Sequence, residues 1–298
     1  MNTTTTDTSH RGQIFLESAT VIEQESWPGE QYILRVYAPE TAKRAKAGSF
    51  AHLTCDPAVP MRRPLSIMRA SPEQGWVDFL YKIHGHGLHH LSSRAAGDNI
   101  SVLGPIGKGF TLHANKPRPL LIGGGVGIPP MIFLAESIKA NPDADWKTFC
   151  IMGSEIPFPF AVSKSSIAVQ GIDEAINGSH PLLESWNIPS RLASWQGYAA
   201  SFKGFVTDLA DAHLQTLSQA ELDEIEIFAC GPTPMLKAVA ALARKYSLDC
   251  QVSLEEFMAC AVGGCAGCTV PVQTPNGLEM QRVCVDGPVF EAAQVYPG

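Results

Sequence analysis

No stretch of this 298-residue chain is apolar for long enough to span a bilayer. Its most apolar run, Leu120 to Ala135, is interrupted by four glycines and two prolines. The N-terminus, Met1-Asn-Thr-Thr-Thr-Thr-Asp, lacks the basic start and apolar core of a secretory signal, so the cytoplasm is the expected compartment. Residues 1–10 are expected to form a disordered tail. Charge is scarce at 17% and sums to −7, with no basic face, which excludes nucleic acid and anionic membranes as partners. A hydrophobic content of 45% excludes general disorder, and the length allows two or three domains with cores of their own.

What the chain has is cysteine in one place. Four of its eight cysteines, Cys260, Cys265, Cys268 and Cys284, follow C-x4-C-x2-C with fifteen residues before the last. That is the plant-type ligand spacing of a [2Fe–2S] cluster. Glycines between the first three let the loop wrap tightly and leave backbone N–H groups free to face sulfur. A four-cysteine zinc site is the main alternative, but such sites usually carry two C-x2-4-C knuckles and here there is one. Disulfides suit an exported chain, and nothing here signals export.

From Gln13 to about Phe110 short β-like runs such as Tyr32-Ile-Leu-Arg-Val-Tyr37 and Val77-Asp-Phe-Leu-Tyr81 alternate with Gly, Pro and Ser turns. The spacing predicts an antiparallel barrel. Arg62-Arg63-Pro64-Leu65-Ser66 opens one of its strands, and an arginine beside a rigid proline can clamp a phosphate. The tract His84-Gly-His-Gly-Leu-His-His90 reads better as an anion-binding turn before a short helix (89–94) than as a metal site.

Beyond residue 113 the pattern changes. Pro119-Leu-Leu-Ile122 runs into Gly123-Gly124-Gly125-Val-Gly127 and a helix over 131–140, a strand–turn–helix that presents bare amides to phosphate. A second strand, 147–152, ends at Gly153-Ser154-Glu155, where a carboxylate would accept a ribose hydroxyl and disfavour a 2′-phosphate; NAD is expected over NADP. Residues 163–201 lack periodicity and read as loop with short helices. Gly204-Phe-Val-Thr207 follows, with Thr207 assigned to the nucleotide. A buried strand over 224–230 then opens through Cys230-Gly231-Pro232 into a helix over 235–246.

Arg63-Pro-Leu-Ser66, Gly85-x-Gly87, Leu103-Gly-Pro-x-Gly-x-Gly-Phe110, Gly123-Gly-Gly-Val-Gly-Ile-Pro129, Cys230-Gly-Pro232, Ser253-Leu-Glu-Glu256 and the cysteine motif occur in one order. That order resembles the ferredoxin–NADP reductase superfamily and, within it, the electron-transfer subunits of class 1B dihydroorotate dehydrogenases. The resemblance implies an FAD-binding barrel (11–113), a parallel-sheet NAD-binding α/β domain (114–252) and a small C-terminal [2Fe–2S] module (253–298). It implies FAD held by Arg63, Pro64, Leu65 and Ser66, by Leu80, Tyr81 and Lys82, and by Gly87 and Leu88. NAD(H) would lie on Gly124, Gly125, Gly127, Thr207 and Gly231. Ser66 would donate toward the flavin N5 region and Cys230 would border the nicotinamide, the two residues expected in catalysis. Electrons would pass by way of FAD and the cluster to or from an FMN-containing catalytic subunit in a heterotetramer; a hydrogenase, sulfide dehydrogenase or ferredoxin:NADP oxidoreductase partner is the alternative. Leu88 stands where the family usually has threonine, and Phe257 where it has arginine.

Overall fold

The alternating runs of the first hundred residues close on themselves. In the computed structural model, which describes residues 13–141 and 145–298, they form β1 (Phe15–Trp27), β2 (Gln31–Tyr37), β3 (Phe50–Thr54), β4 (Arg63–Ser71), β5 (Trp76–Lys82) and β6 (Asn99–Ile106). The tail expected at 1–10 lies outside the described residues. The six strands pair antiparallel in the order β1-β2-β5-β4-β3-β6, and β6 returns to β1, so no edge is left to aggregate. Period-2 patterning fills the interior with Ala19, Leu34, Val36, Leu53, Ile67, Val77, Phe79 and Val102. Burying each of the larger ones stabilises the fold by about 1.5–3 kcal/mol. Two short helices decorate the barrel, α1 (Pro39–Arg44) and α2 (Gly85–Leu91). The second starts four residues earlier than its histidines suggest.

The next domain is built on β7 (Arg118–Gly124), α3 (Ile128–Lys139), β8 (Phe149–Gly153), two-residue strands β9 (Ser163–Lys164) and β10 (Gly178–Ser179), α4 (Pro181–Ser185), β11 (Ser190–Ala193), α5 (Val206–Leu214), α6 (Gln219–Asp223), β12 (Ile225–Cys230), α7 (Thr233–Tyr246) and β13 (Asp249–Ser253). β7 and β12 are covered on both faces, which is why they read as unbroken apolar runs rather than alternating ones. Helix α3 takes Pro129 and Pro130 into its first turn, where a missing N–H costs nothing. The segment over 163–201, expected as loop, contributes the edge strand β11, paired parallel to β8.

The C-terminal residues form a hairpin, β14 (Thr269–Thr274) and β15 (Gly277–Arg282), then β16 (Val289–Glu291) and α8 (Ala292–Val295). β16 does not stay with the hairpin. It pairs antiparallel with β13 and completes a six-stranded sheet in the order β11-β8-β7-β12-β13-β16. Several contacts tie the barrel and the linker after it to this domain, among them Gln31 Nε2, which donates to Pro157 O at 2.7 Å. Arg69 on β4 binds Glu136 on α3 at 2.6 Å. The amide of Gln251 on β13 accepts from the Thr111 N–H and donates to its carbonyl, at 3.0 and 2.7 Å. A further donation from Gln251 reaches the buried Glu226 carboxylate, which His113 also meets at 2.9 Å. Among the described residues no helix is long and apolar enough to cross a membrane.

Candidate functional site

Arg63 begins β4, and its guanidinium reaches across to the first turn of α2. One nitrogen, Nη1, donates to the carbonyls of Met61 and Arg62. The remaining edge lies against Gly87, where an added Cβ would stand 2.9 Å from Cζ, Nε and Nη2. Only glycine admits an arginine that close to the backbone, and together they make a cradle with charge and N–H groups on facing sides. Leu88 is buried in the barrel core, so it anchors the helix and offers a ligand its amide alone. Tyr81 points inward too. Its ring stacks on Tyr32 at 5.4 Å and its hydroxyl donates to Gln24 at 2.8 Å. Burial, with Tyr32 and Cys55 beside it, pushes that phenol well above its ordinary range. Leu80 is buried and Lys82 is exposed. Ser66 pairs with Phe50 across β3–β4, and Pro64 pairs with His52.

The two glycine turns meet because β7 and β12 are adjacent and parallel, with Gly123 opposite Cys230. A Cβ at Gly127 would strike the Cys230 carbonyl and the Gly231 nitrogen. One at Gly124 or Gly231 would strike Met235, whose side chain fills the gap between the turns. Gly125, at φ +56, has open space before it. Cys230 itself is wholly buried; burial, reinforced by the charge of Glu255, keeps its thiol protonated. Ser154, expected at a ribose, instead donates to Ile156 O at 2.7 Å within its own turn, leaving Glu155 exposed. Thr207 lies half-buried in the first turn of α5, beside Val206, which packs over Gly153.

Sequence reasoning quoted Ser253-Leu-Glu-Glu256 without giving Glu255 a role. Glu255 keeps an exposed surface, yet the protein packed around it strips away enough water to raise its carboxyl pKa. A carboxyl near the Cys230 turn that takes up a proton readily can hold or release one there. The signal was legible only as an acidic residue between a strand and the cysteine loop.

In that loop Ala261, Gly263 and Ala266 all take positive φ, which coils the chain around a small volume. The cysteines come as two pairs. The Cys260 sulfur accepts from the Cys265 N–H at 3.4 Å, and the sulfurs of Cys268 and Cys284 lie 3.3 Å apart. Burial alone would raise the Cys260 thiol, but the amides of Val262, Cys265 and Gly264 outweigh it and bring it down to about 7. Among the described residues no three His, Cys, Asp or Glu side chains converge as for a single ion. Two pairs of cysteines fit a two-iron cluster, in which each iron takes two protein sulfurs, better than one tetrahedral zinc, although burial pushes the free Cys284 thiol up to about 12.

His52 joins this loop to the barrel. It is fully buried, and neither ring nitrogen has a hydrogen-bond partner of normal geometry. The backbone of Met258 lies against it; burial, then the Arg62 charge, lowers its pKa to about 4 and leaves it neutral. His52 faces Pro64 and Met258, and Glu255 faces Cys230, so the β4 cradle, the glycine turns and the cysteine loop share one junction.

Residues 255–296 match the family model described as the iron–sulfur cluster binding domain of dihydroorotate dehydrogenase B. The dihydroorotate dehydrogenase B (NAD(+)) electron transfer subunit of Caldanaerobacter subterraneus subsp. tengcongensis is 32% identical over 253 residues, covering 85% of this chain and 88% of that one. The chain belongs to this family of electron transfer subunits. The Shouchella clausii member is 31% identical across 93% of this chain and 96% of its own. Among solved structures, the family fold is shared with an NADH-dependent reduced ferredoxin-NADP oxidoreductase studied for flavin-based electron bifurcation (TM-score 0.75, 24% identity, covering 94% and 90%). The cytochrome b5 reductase domain of Ulva prolifera nitrate reductase follows at TM-score 0.57 and 18% identity, covering 82% and 96%. At those identities the likeness is one of fold.

Proposed function

We propose that this chain is the electron-transfer subunit of a dihydroorotate dehydrogenase, carrying electrons between NAD(H) and an FMN-containing catalytic subunit with which it forms a heterotetramer. The observation that carries the reading is the junction itself, where cradles suited to FAD, a dinucleotide and a [2Fe–2S] cluster adjoin. When bound, the nicotinamide exchanges two electrons as a hydride, the cluster one at a time, and the flavin both ways. Each residue then has a bounded task. Arg63 and the Gly87 amide hold the FAD pyrophosphate. Ser66 offers its hydroxyl to the flavin edge beside Pro64. Gly125 and Gly127 leave amides bare for the dinucleotide phosphates, while Cys230 and Gly231, kept close by the glycine packing, form the floor under the nicotinamide. Glu255, whose carboxyl pKa is raised by burial, stands beside the Cys230 turn and takes up a proton more readily than an ordinary carboxylate. Cys260 and Cys265 on one side and Cys268 and Cys284 on the other hold the irons.

A second reading keeps the relay and changes its partner. Phe257 is 93% exposed next to the cluster loop, where the family usually carries arginine, so the surface that meets the partner differs here. Replacing Cys265 by Ser tests the relay. NADH–dye reduction through the flavin should persist while transfer to the FMN subunit falls at least about tenfold, the lower bound for losing even an outer-shell partner of a metal site. An unaltered cluster absorption spectrum would refute the ligand assignment. Co-elution with an FMN subunit, and the mass of the complex, separates the two partners and sets the stoichiometry.

A further inference from the structure

At the amino edge of the nucleotide sheet, where β7, β8, β11 and β12 begin, lies a cavity of about 370 Å³. The glycine turns open at the other edge. Along β7, Pro119 in the cavity wall is separated from Gly124 by about 16 Å of extended chain. The cavity is therefore distinct from the dinucleotide site, and its volume suits a small organic molecule. Leu120, Phe149 and Ile188 give it apolar walls, while Ala168 and Gln170, both exposed, border it from the loop before β10.

The polar groups of the lining are incompletely used. Thr148 is only 4% exposed, and among the described residues its Oγ1 has no hydrogen-bond partner. Trp146 adds a second case, a buried indole N–H without an acceptor among them. A buried donor left unpaired is costly, and two in the lining of one cavity call for a ligand that accepts from both. His213 offers the complement. Its Nδ1 lies 2.7 Å from Gln170 O, and a carbonyl only accepts, so Nδ1 carries the proton. Burial lowers the ring's pKa, which keeps it neutral and leaves Nε2 as an acceptor. An edge-to-face contact with Phe149, centroids 5.0 Å apart, holds the ring in place. Of the two cations in the lining, Arg118 is already met by Glu224 at 2.8 Å and Glu221 at 3.2 Å. Lys147 is exposed and enters no ion pair among the described residues, so its charge is the one left for a ligand.

We propose that this cavity is a binding site for a single-ring, planar N-heterocyclic carboxylate. The carboxylate would meet Lys147, ring carbonyls would accept from Thr148 and Trp146, and a ring N–H would donate to His213 Nε2. Apolar walls at Phe149 and Ile188 would take the flat body of the ring. The class follows from the lining and does not depend on the electron-transfer reading. Orotate, the dehydrogenated form of dihydroorotate, carries all of these groups and serves as the probe.

The test is equilibrium dialysis of labelled orotate against the full chain carrying its flavin and cluster, without the catalytic subunit, whose own site would take up the same molecule. Saturable binding of one orotate per chain is expected. Thr148→Val keeps the shape and removes the hydroxyl, so the dissociation constant should rise roughly 2- to 12-fold, as for one neutral hydrogen bond. The ligand-free variant should melt no lower than the parent, because the hydroxyl it loses had no partner. Lys147→Gln should weaken binding and flatten its dependence on salt. Ala168→Trp, on the exposed loop, should fill the cavity and abolish binding while the protein stays folded. Benzoate keeps a flat ring and a carboxylate without ring N–H or carbonyl groups, and should bind more weakly. Absence of saturable orotate binding below about 1 mM overturns the proposal. So does binding that Thr148→Val and Ala168→Trp both leave unchanged, and so does equal affinity for benzoate. NADH–dye reduction by the same preparation reports on the relay separately, so a failed site and a failed relay are told apart.

Discussion

Removing the Arg63 guanidinium should weaken FAD binding by an amount the cradle itself sets. Its Nη1 is already committed to the carbonyls of Met61 and Arg62. What remains for a phosphate is the Nε–Nη2 edge, which lies over Gly87. Hydrogen bonds to a charged group contribute about 1.5–3 kcal/mol net. Arg63 is only half-buried, so water competes for this edge and the lower part of the range applies to the pair of bonds taken together. A loss of about 1.5–2 kcal/mol corresponds to a dissociation constant roughly 10- to 30-fold higher in Arg63→Ala. Arg63→Lys keeps the charge and loses the fork, so its shift should be smaller. Gly87→Ala attacks the same cradle from the other wall: its methyl would sit where the guanidinium now lies, and FAD should weaken although no charge is removed. Titration of apoprotein with FAD, followed by the quenching of flavin fluorescence at two salt concentrations, measures all three. A shift below about threefold in Arg63→Ala, or none in Gly87→Ala, would show that the pyrophosphate does not lie between these residues.

Two further outcomes follow from other parts of the junction. Gly127→Ala places a methyl against the backbone of Cys230 and Gly231, where no side-chain rotation can relieve it, and such overpacking costs about 1–3 kcal/mol. A melting temperature lower by several degrees is expected for a domain of this size, with a raised KM for NADH; no change in either sinks the close-packing account. The hydrogen bond to Glu226 raises the His113 pKa against a small opposing effect of burial. A raised value in the folded state stabilises the protein fully below the ordinary histidine range and ceases to do so as pH climbs through it. Thermal melts of His113→Gln should therefore differ from the parent more at pH 6 than at pH 9. Equal differences at both would mean the ion pair adds nothing.

Much of this architecture was legible because its signals are local. Period-2 runs with Gly and Pro turns marked the barrel, and apolar runs ending at Gly123 and Cys230 marked strands covered on both faces. The cysteine spacing marked a ligand loop without any fold at all. What escaped was set by tertiary contact. Ser190-Arg-Leu-Ala193 is four residues long with no alternation, and it is a strand only because β8 offers it an edge. Asp249–Ser253 is likewise defined by β12 on one side and by β16 on the other, forty residues further on. The same limit applied at the site. Tyr81 reads as a residue lining the flavin, and the contacts of its side chain with Tyr32 and Gln24 are set by the neighbouring strands. Cys230 reads as a residue bordering the nicotinamide, and sequence does not show that its side chain is wholly buried in the sheet. Glu255 gains its raised pKa from burial by the folded protein around it, which a window of sequence does not contain.

The return of β16 to the nucleotide sheet gives the cluster loop a mechanical meaning. A loop of cysteines fixed at one end would wander, and electron transfer between carriers depends on their separation staying constant. Here the loop leaves from β13 and its distal cysteine, Cys284, is followed within a few residues by β16, which is hydrogen-bonded to that same β13. The Lys108 N–H donates to Gly287 O at 2.6 Å, so the linker from the barrel is fastened to the same stretch. Met258 against His52 supplies a third point of attachment, from the barrel side. Because the loop is fixed to both domains, any hinge opening between barrel and sheet must strain it. The sulfur loop is thereby held against both the barrel and the sheet, while Phe257 and Cys265 keep exposed faces on its outer side.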